Sequence, residues 1–257
     1  MSFFRSLSSL SPLAVLLAGA LSAPASCAAA VHTATARSGN AIQLGAVTYR
    51  LDSVDAPEPD QVCISEHAEP WTCGMDARDQ LAVLIRDHDI HCTDIGPEKR
   101  FGRRRRATCF TEGDRVSINE HMLQAGFAIV REHAGAKLRL AASEAQAASR
   151  GIWKGCFAAP RDFRAGRKEN PLLGASCRAD RDREIRAALF PQSLTMPQGC
   201  TIKANRAIRA HLTGNIGIYQ LRGCPGYAAA TRPDRWFCSE DDATAAGYRR
   251  AFNCRNP

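Results

Sequence analysis

Eleven cysteines are spread along the 257 residues of this chain, and ten of them fall between Cys63 and Cys254. They stand at 63, 73, 92, 109, 156, 177, 200, 224, 238 and 254, and no two are spaced C-x-x-C. That spacing argues against the common zinc ribbons and against thioredoxin-type redox sites, both of which set two cysteines on one tight turn. An even set without such pairs reads as a disulfide framework, formed where thiols are oxidised. Cys63 with Cys73 and Cys92 with Cys109 are the local bridges that this spacing suggests. The sequence leaves the connectivity as a whole open.

The eleventh cysteine, Cys27, lies in a stretch of different character. Arg5 gives a short positive start, "SPLAVLLAGAL" (11–21) is apolar, and "SAPASCAAA" (22–30) offers small residues. This is the order of a secretory signal peptide, and the apolar run is too short to span a bilayer as a helix. Residues 1–30 are therefore expected to be a signal, cleaved after Ala25, Ala28 or Ala30. The mature chain is then periplasmic or extracellular and has no transmembrane segment, which agrees with the cysteine usage.

With 34 Lys and Arg against 26 Asp and Glu, the chain carries a net charge of +8. Arg5 is the one charged residue of the first 30, so the remainder stays strongly basic. Such a chain attracts polyanions such as nucleic acid or anionic envelope surfaces, although charge also serves solubility. Hydrophobic residues make up 45% and charged residues 23%, a globular composition for one or two domains.

The organisation is mixed. "AIQLGAVTYRLDSV" (41–54) reads as two strands joined at Gly45-Ala46. Ala77, Leu81, Leu84 and Ile85 recur at helical spacing within 72–88. Strands follow at 89–95 and 103–110. Ser117 and Glu120 form a capping box at the start of a helix that Gly126 can end. An alanine-rich helix over 138–153 is stopped by Gly151. Residues 158–176 show little periodicity and read as a linker, followed by a short helix at 179–190. Residues 199–257 hold four cysteines, the strand-like runs "GIYQL" and "RWFC", and a last helix capped by Ser239 and ended by Gly247. Strands first and helices after predict an α+β fold on a small antiparallel barrel, with a cross-linked C-terminal module. Trp236, Tyr227 and Tyr248 can stack bases but are expected in the module's core.

The densest chemistry lies in "YRLDSVDAPEP" (49–59). Arg50 can grip a phosphate oxygen with its planar fork, Asp55 can ligate a Ca²⁺-like ion, and Glu58 can orient or deprotonate a water. Strict alternation would put Arg50 and Asp55 on opposite faces, so a bulge or the turn itself must bring them together. The run Arg103–Arg106 would split on a strand, with Arg103 and Arg105 on one face and Arg104 and Arg106 on the other. The histidines lack metal-ligand spacing, and no G-x-S-x-G elbow occurs.

Residues 38–164 resemble the staphylococcal nuclease-like (thermonuclease) family. The resemblance rests on "YRLDSVDAPE", "RFGRRRRATC" (100–109), "INEHMLQAGFA" (118–128) and "SEAQAASRGIWKGCF" (143–157) leading to "FR" (163–164). It implies an OB-fold five-stranded β-barrel with packed helices over residues 31–165, a linker and short helix over 166–198, and an appended module over 199–257. It also implies phosphate-gripping roles for Arg50 and Arg103, a general-base role for Glu58, and a Ca²⁺ site drawing on Asp55 and the Ala56 carbonyl. The family's D-G-D-T segment is matched by Ser38-Gly39-Asn40-Ala41, so Asn40 stands where a second calcium-binding aspartate is expected. An amide brings no charge, and Ca²⁺ affinity follows ligand charge. "IVREH" places Glu132 or His133 near a tyrosine that some relatives direct at substrate.

The leading expectation is an exported, monomeric nuclease-like enzyme that hydrolyses DNA or RNA phosphodiesters with a weakened Ca²⁺ site. One alternative is a catalytically silent OB-fold that binds nucleic acid or another polyanion. Another is a cell-envelope interaction protein acting through residues 199–257.

Overall fold

A computed structural model describes Met1 and residues 34–98, 104–192 and 194–254. The expected signal peptide and Arg103 lie outside the described residues. β1 (Thr35–Ser38), β2 (Ala41–Leu44) and β3 (Val47–Leu51) form a meander, with Gly45 at positive φ in the turn between the last two. After an Asp52-Ser53 turn come β4 (Val54–Asp55), the small hairpin β5 (Cys63–Ile64) and β6 (Pro70–Trp71), and helix α1 (Cys73–Ile85). β7 (Ile90–Pro97) and β8 (Arg105–Thr111) complete a five-stranded sheet in the order β1-β2-β3-β8-β7. β8 runs parallel to β3, with Leu51 opposite Ala107, and antiparallel to β7, with Cys92 opposite Cys109. Among the described residues no ladder joins β1 to β7. The sheet is therefore open, and the expected closed barrel is not formed there.

The core follows from the sequence periods. Ile42, Leu51, Ala107 and Cys109 point off the sheet onto Leu81 and Ile85 of α1 and onto Ile118, Met122 and Leu123 of α2 (Ile118–Gln124). Each such Leu or Ile contributes roughly 1.5–3 kcal/mol through burial. Ser117 caps α2 by accepting the Glu120 amide at 3.2 Å. The Glu120 carboxylate does not return to the cap but pairs with Lys137. β9 (Ile129–Val130) then pairs with β4 and leads to α3 (Ala136–Ala147). The single helix expected over 138–153 is in fact α3 followed by a short 3₁₀ turn at Gly151–Lys154. Ser149 and Gly151, both at positive φ, end the α-helical path.

The segment read as a linker is ordered. β10 (Phe157–Ala158) pairs with β11 (Leu172–Leu173), and α4 (Pro160–Ala165) lies between them, opened by Pro160 and closed by Gly166. A helix of six residues is too short to show a period, so its capping residues are its sequence signal. α5 (Asp182–Leu189) follows. The C-terminal residues form a second sheet, β14-β12-β13-β15, from β12 (Ile202–Arg206), β13 (Gly217–Gln220), β14 (Arg235–Phe237) and β15 (Tyr248–Arg250). Helix α6 (Glu240–Ala245) precedes β15, capped by Ser239 on the Asp242 amide at 3.1 Å. Tyr219, Phe237 and Tyr248 make that sheet's core.

Five cysteine pairs stand at disulfide distance: Cys63–Cys73, Cys92–Cys109, Cys156–Cys177, Cys200–Cys238 and Cys224–Cys254. The first two are the local bridges expected from spacing. The last two take up the four cysteines of the C-terminal region, leaving no thiolate among them for a metal.

One close approach fixes the loop that carries Glu58. A Cβ on Gly74, in the first turn of α1, would lie 1.6 Å from the Glu58 carbonyl oxygen. Gln61 braces the same loop by accepting the Glu58 amide at 3.3 Å and donating to the Ala158 carbonyl at 2.8 Å. Gly74→Ala is therefore expected to destabilise the protein by roughly 2 kcal/mol through overpacking, read from urea unfolding.

Candidate functional site

Arg50 leaves β3 and Asp55 lies on β4, with a turn between them in which Ser53 takes positive φ (65°). This reversal overcomes the alternation that would have separated them. Arg50 Nη2 lies 2.9 Å from Asp55 Oδ1, and its Nη1 lies 3.1 Å from Glu98 Oε1. The turn is held by a buried amide: Asn119 of α2 donates to the carbonyls of Asp52 and Ala107 and accepts the Cys109 amide.

A third element joins them. Arg164 of α4 donates from Nη2 to Asp55 Oδ2 at 2.8 Å, and from Nη1 to Asp55 Oδ1 at 3.0 Å and Glu58 Oε1 at 2.7 Å. Glu58 then meets Arg235 of β14, whose Nη2 is 3.4 Å from Glu58 Oε2. Arg235 forks onto Asp60, with Nε and Nη2 at 2.6 and 2.7 Å from its two oxygens, and lies about 5 Å from the rings of Phe163 and Phe237. The Trp236 amide donates to Asp60 at 2.9 Å. A further contact joins Arg104 to Asp242 of α6.

These groups surround a cleft of about 320 Å³ lined by Asn40, Arg50, Glu58, Arg104, Arg164 and Trp236, among others. Burial alone pushes the Asp55 carboxyl up, but Arg164 and then Arg50 outweigh it and hold the group below the usual carboxylate range. Burial also raises Glu58, and Arg164 with Arg235 again brings it below its ordinary value. The same two carboxylates raise Arg164 against the effect of its own burial. Asp242 differs: its burial outweighs Arg104 and the carboxyl is raised.

Of the residues singled out in the sequence, Arg50, Asp55 and Glu58 converge here. Asn40 lines the cleft, but it is buried and its Oδ1 accepts the Ser38 hydroxyl at 3.1 Å. Ala56 is buried among core residues. Arg103 cannot be placed, being outside the described residues. Its neighbours are spent on ion pairs, Arg104 with Asp242, Arg105 with Asp94 and Arg106 with Asp52. Glu132 turns to Arg161, and His133 stands 3.7 Å from Asp52. Of the three aromatics expected in the C-terminal core, Tyr248 lies there, Trp236 is buried against Phe163 and Leu194 instead, and Tyr227 is half-buried.

Five members of the cluster were not singled out in the sequence: Asp60, Glu98, Arg164, Arg235 and Asp242. Arg164 ends the "FR" step of the resemblance, which is the one signal that pointed to it.

A Ca²⁺ ion needs about six to eight oxygen ligands and strong negative charge. This site offers one carboxylate already bonded to two guanidinium groups, one amide oxygen bonded to a hydroxyl, and a carbonyl on a buried alanine. As arranged, that donor set does not fit the ion.

No family model matches the chain. It is 31% identical over 118 residues to the succinoglycan biosynthesis protein ExoI of Rhizobium meliloti (strain 1021). The match covers 45% of this chain and spans 60% of that protein's length.

Removing Arg164 leaves Asp55 with Arg50 and Glu58 with the longer contact to Arg235, both with little access to water. Arg164→Ala is expected to cost roughly 3 kcal/mol at pH 7, a cost typical of breaking a buried pair. Both carboxyls are depressed in the folded state, so their contribution is present above their unfolded values, about 4, and is lost as pH falls through the folded ones. The stability gap between wild type and Arg164→Ala should therefore narrow below about pH 4 in urea titrations.

Proposed function

We propose that this chain is an exported protein that binds the phosphodiester backbone of nucleic acid in its arginine-lined cleft. It does so on a nuclease-like OB scaffold whose carboxylates no longer support hydrolysis. The observation that carries this reading is the Arg164 fork, which engages both Asp55 and Glu58. A carboxylate ion-paired with guanidinium groups is a weaker base, and its charge is already neutralised when a cation approaches. The surrounding arginines and the basic net charge favour polyanions.

Hydrolysis is the second reading, favoured by the meeting of Arg50, Asp55 and Glu58 in one ion-pair network. The likeness to ExoI makes the succinoglycan in that protein's name an alternative ligand to offer in the same assay.

Fluorescence anisotropy with a labelled single-stranded oligonucleotide tests the proposal. Binding is expected at low salt, with affinity falling roughly tenfold or more between 50 and 200 mM salt as phosphate contacts are screened. No cleavage is expected at millimolar Ca²⁺. Ca²⁺-dependent cleavage that Glu58→Gln abolishes would replace this reading with the hydrolytic one. Binding of succinoglycan but not of oligonucleotide would replace the ligand.

A further inference from the structure

Three clefts meet in this region, and a single side chain lines all of them. Beside the 320 Å³ cleft lie one of about 470 Å³ and one of about 400 Å³, and Arg131 borders each. Arg131 follows β9, and its amide donates to the Ser53 carbonyl at 2.9 Å, which ties it to the turn between Arg50 and Asp55.

The other described arginines around these clefts are all paired. Arg50 has Asp55 and Glu98, Arg164 has Asp55 and Glu58, Arg106 has Asp52, Arg161 has Glu132, and Arg104 has Asp242. The Arg131 guanidinium alone among them makes no hydrogen bond or ion pair with any described residue. It is half-buried, and that burial, followed by repulsion from Arg50, lowers its affinity for its proton. A partly desolvated cation beside Arg50 and Arg164 is costly, Asp55 and Glu98 offset that cost only in part, and an anion placed against it offsets more.

We propose that Arg131 is an anion-gripping residue, binding two oxygens of one phosphate group through its planar fork where the three clefts meet. The fork geometry matches a phosphate better than a point charge does. A bound strand would pass over this junction with one phosphate on Arg131, and this extension to nucleic acid rests on the function proposed above.

The test uses inorganic pyrophosphate and a single-stranded oligonucleotide in separate titrations of the full mature chain, by calorimetry and anisotropy. Arg131→Gln should weaken pyrophosphate binding at least tenfold, and Arg131→Lys, which keeps charge but loses the fork, should fall between it and wild type. Lys154→Gln, which removes a positive charge elsewhere on the surface, should stay within twofold. Because Arg131 loses no protein partner, the Arg131→Gln melting temperature should equal or exceed that of wild type, so lost binding cannot be ascribed to unfolding. Pyrophosphate binding unchanged in Arg131→Gln, or absent from wild type, overturns the subsite even if oligonucleotide still binds. Arg131-dependent pyrophosphate binding without oligonucleotide binding upholds the subsite and removes nucleic acid as the ligand.

Discussion

Arg164 is the pivot on which this structure turns. One guanidinium on a six-residue helix spans the oxygens of Asp55 on a strand and of Glu58 on a loop, and Glu58 passes the contact on to Arg235 of the second sheet. Buried charges are costly unless paired, because each ion has given up water worth several kcal/mol. Docking of α4, held near the core by the Cys156–Cys177 pair, is therefore coupled to the conformation of the Asp52–Asp60 segment. The C-terminal sheet is coupled in turn, since Arg235, 3% exposed, has Asp60 as its bidentate partner. A region that looked like an appended module supplies part of the wall of the cleft.

The same network decides what the cleft can attract. Asp55 and Glu58 would otherwise present negative charge to a cation, but both are ion-paired, and the lining of the 320 Å³ cleft sets Arg50, Arg104, Arg131, Arg161 and Arg164 against Glu58, Glu98 and Asp242. Asn40 adds no charge and directs its carbonyl oxygen at Ser38. The balance favours an anionic ligand over a metal ion. Arg131, without a carboxylate of its own, extends that positive surface across the junction of the neighbouring clefts.

Much of the frame was legible in the sequence because it depends on local rules. The β2–β3 hairpin, the α1 stripe of Ala77, Leu81 and Ile85, and the Ser117 and Ser239 caps all follow from spacing and short-range chemistry. So did the need for a turn to bring Arg50 to Asp55. The parts that escaped are pairings between distant segments. Arg164 lies 109 residues from Asp55, and Arg235 lies 175 residues from Asp60. Neither separation leaves a periodic trace, and α4 is too short to announce itself. Within "IVREH", Glu132 and His133 stand out as chemical groups, yet the arginine before them borders the clefts with no side-chain partner among the described residues. A residue is conspicuous in that way only once its neighbours are known.

The central claim is that Asp55 and Glu58 are held as ion-paired carboxylates and are closed to a metal. Carboxyl-carbon NMR titration of both side chains in the wild-type chain, with and without millimolar Ca²⁺, tests it most directly. Both groups should titrate below their ordinary values, and neither their signals nor their midpoints should move when Ca²⁺ is added. A Ca²⁺-dependent shift of the Asp55 and Glu58 signals, or ordinary midpoints for both, would contradict the claim.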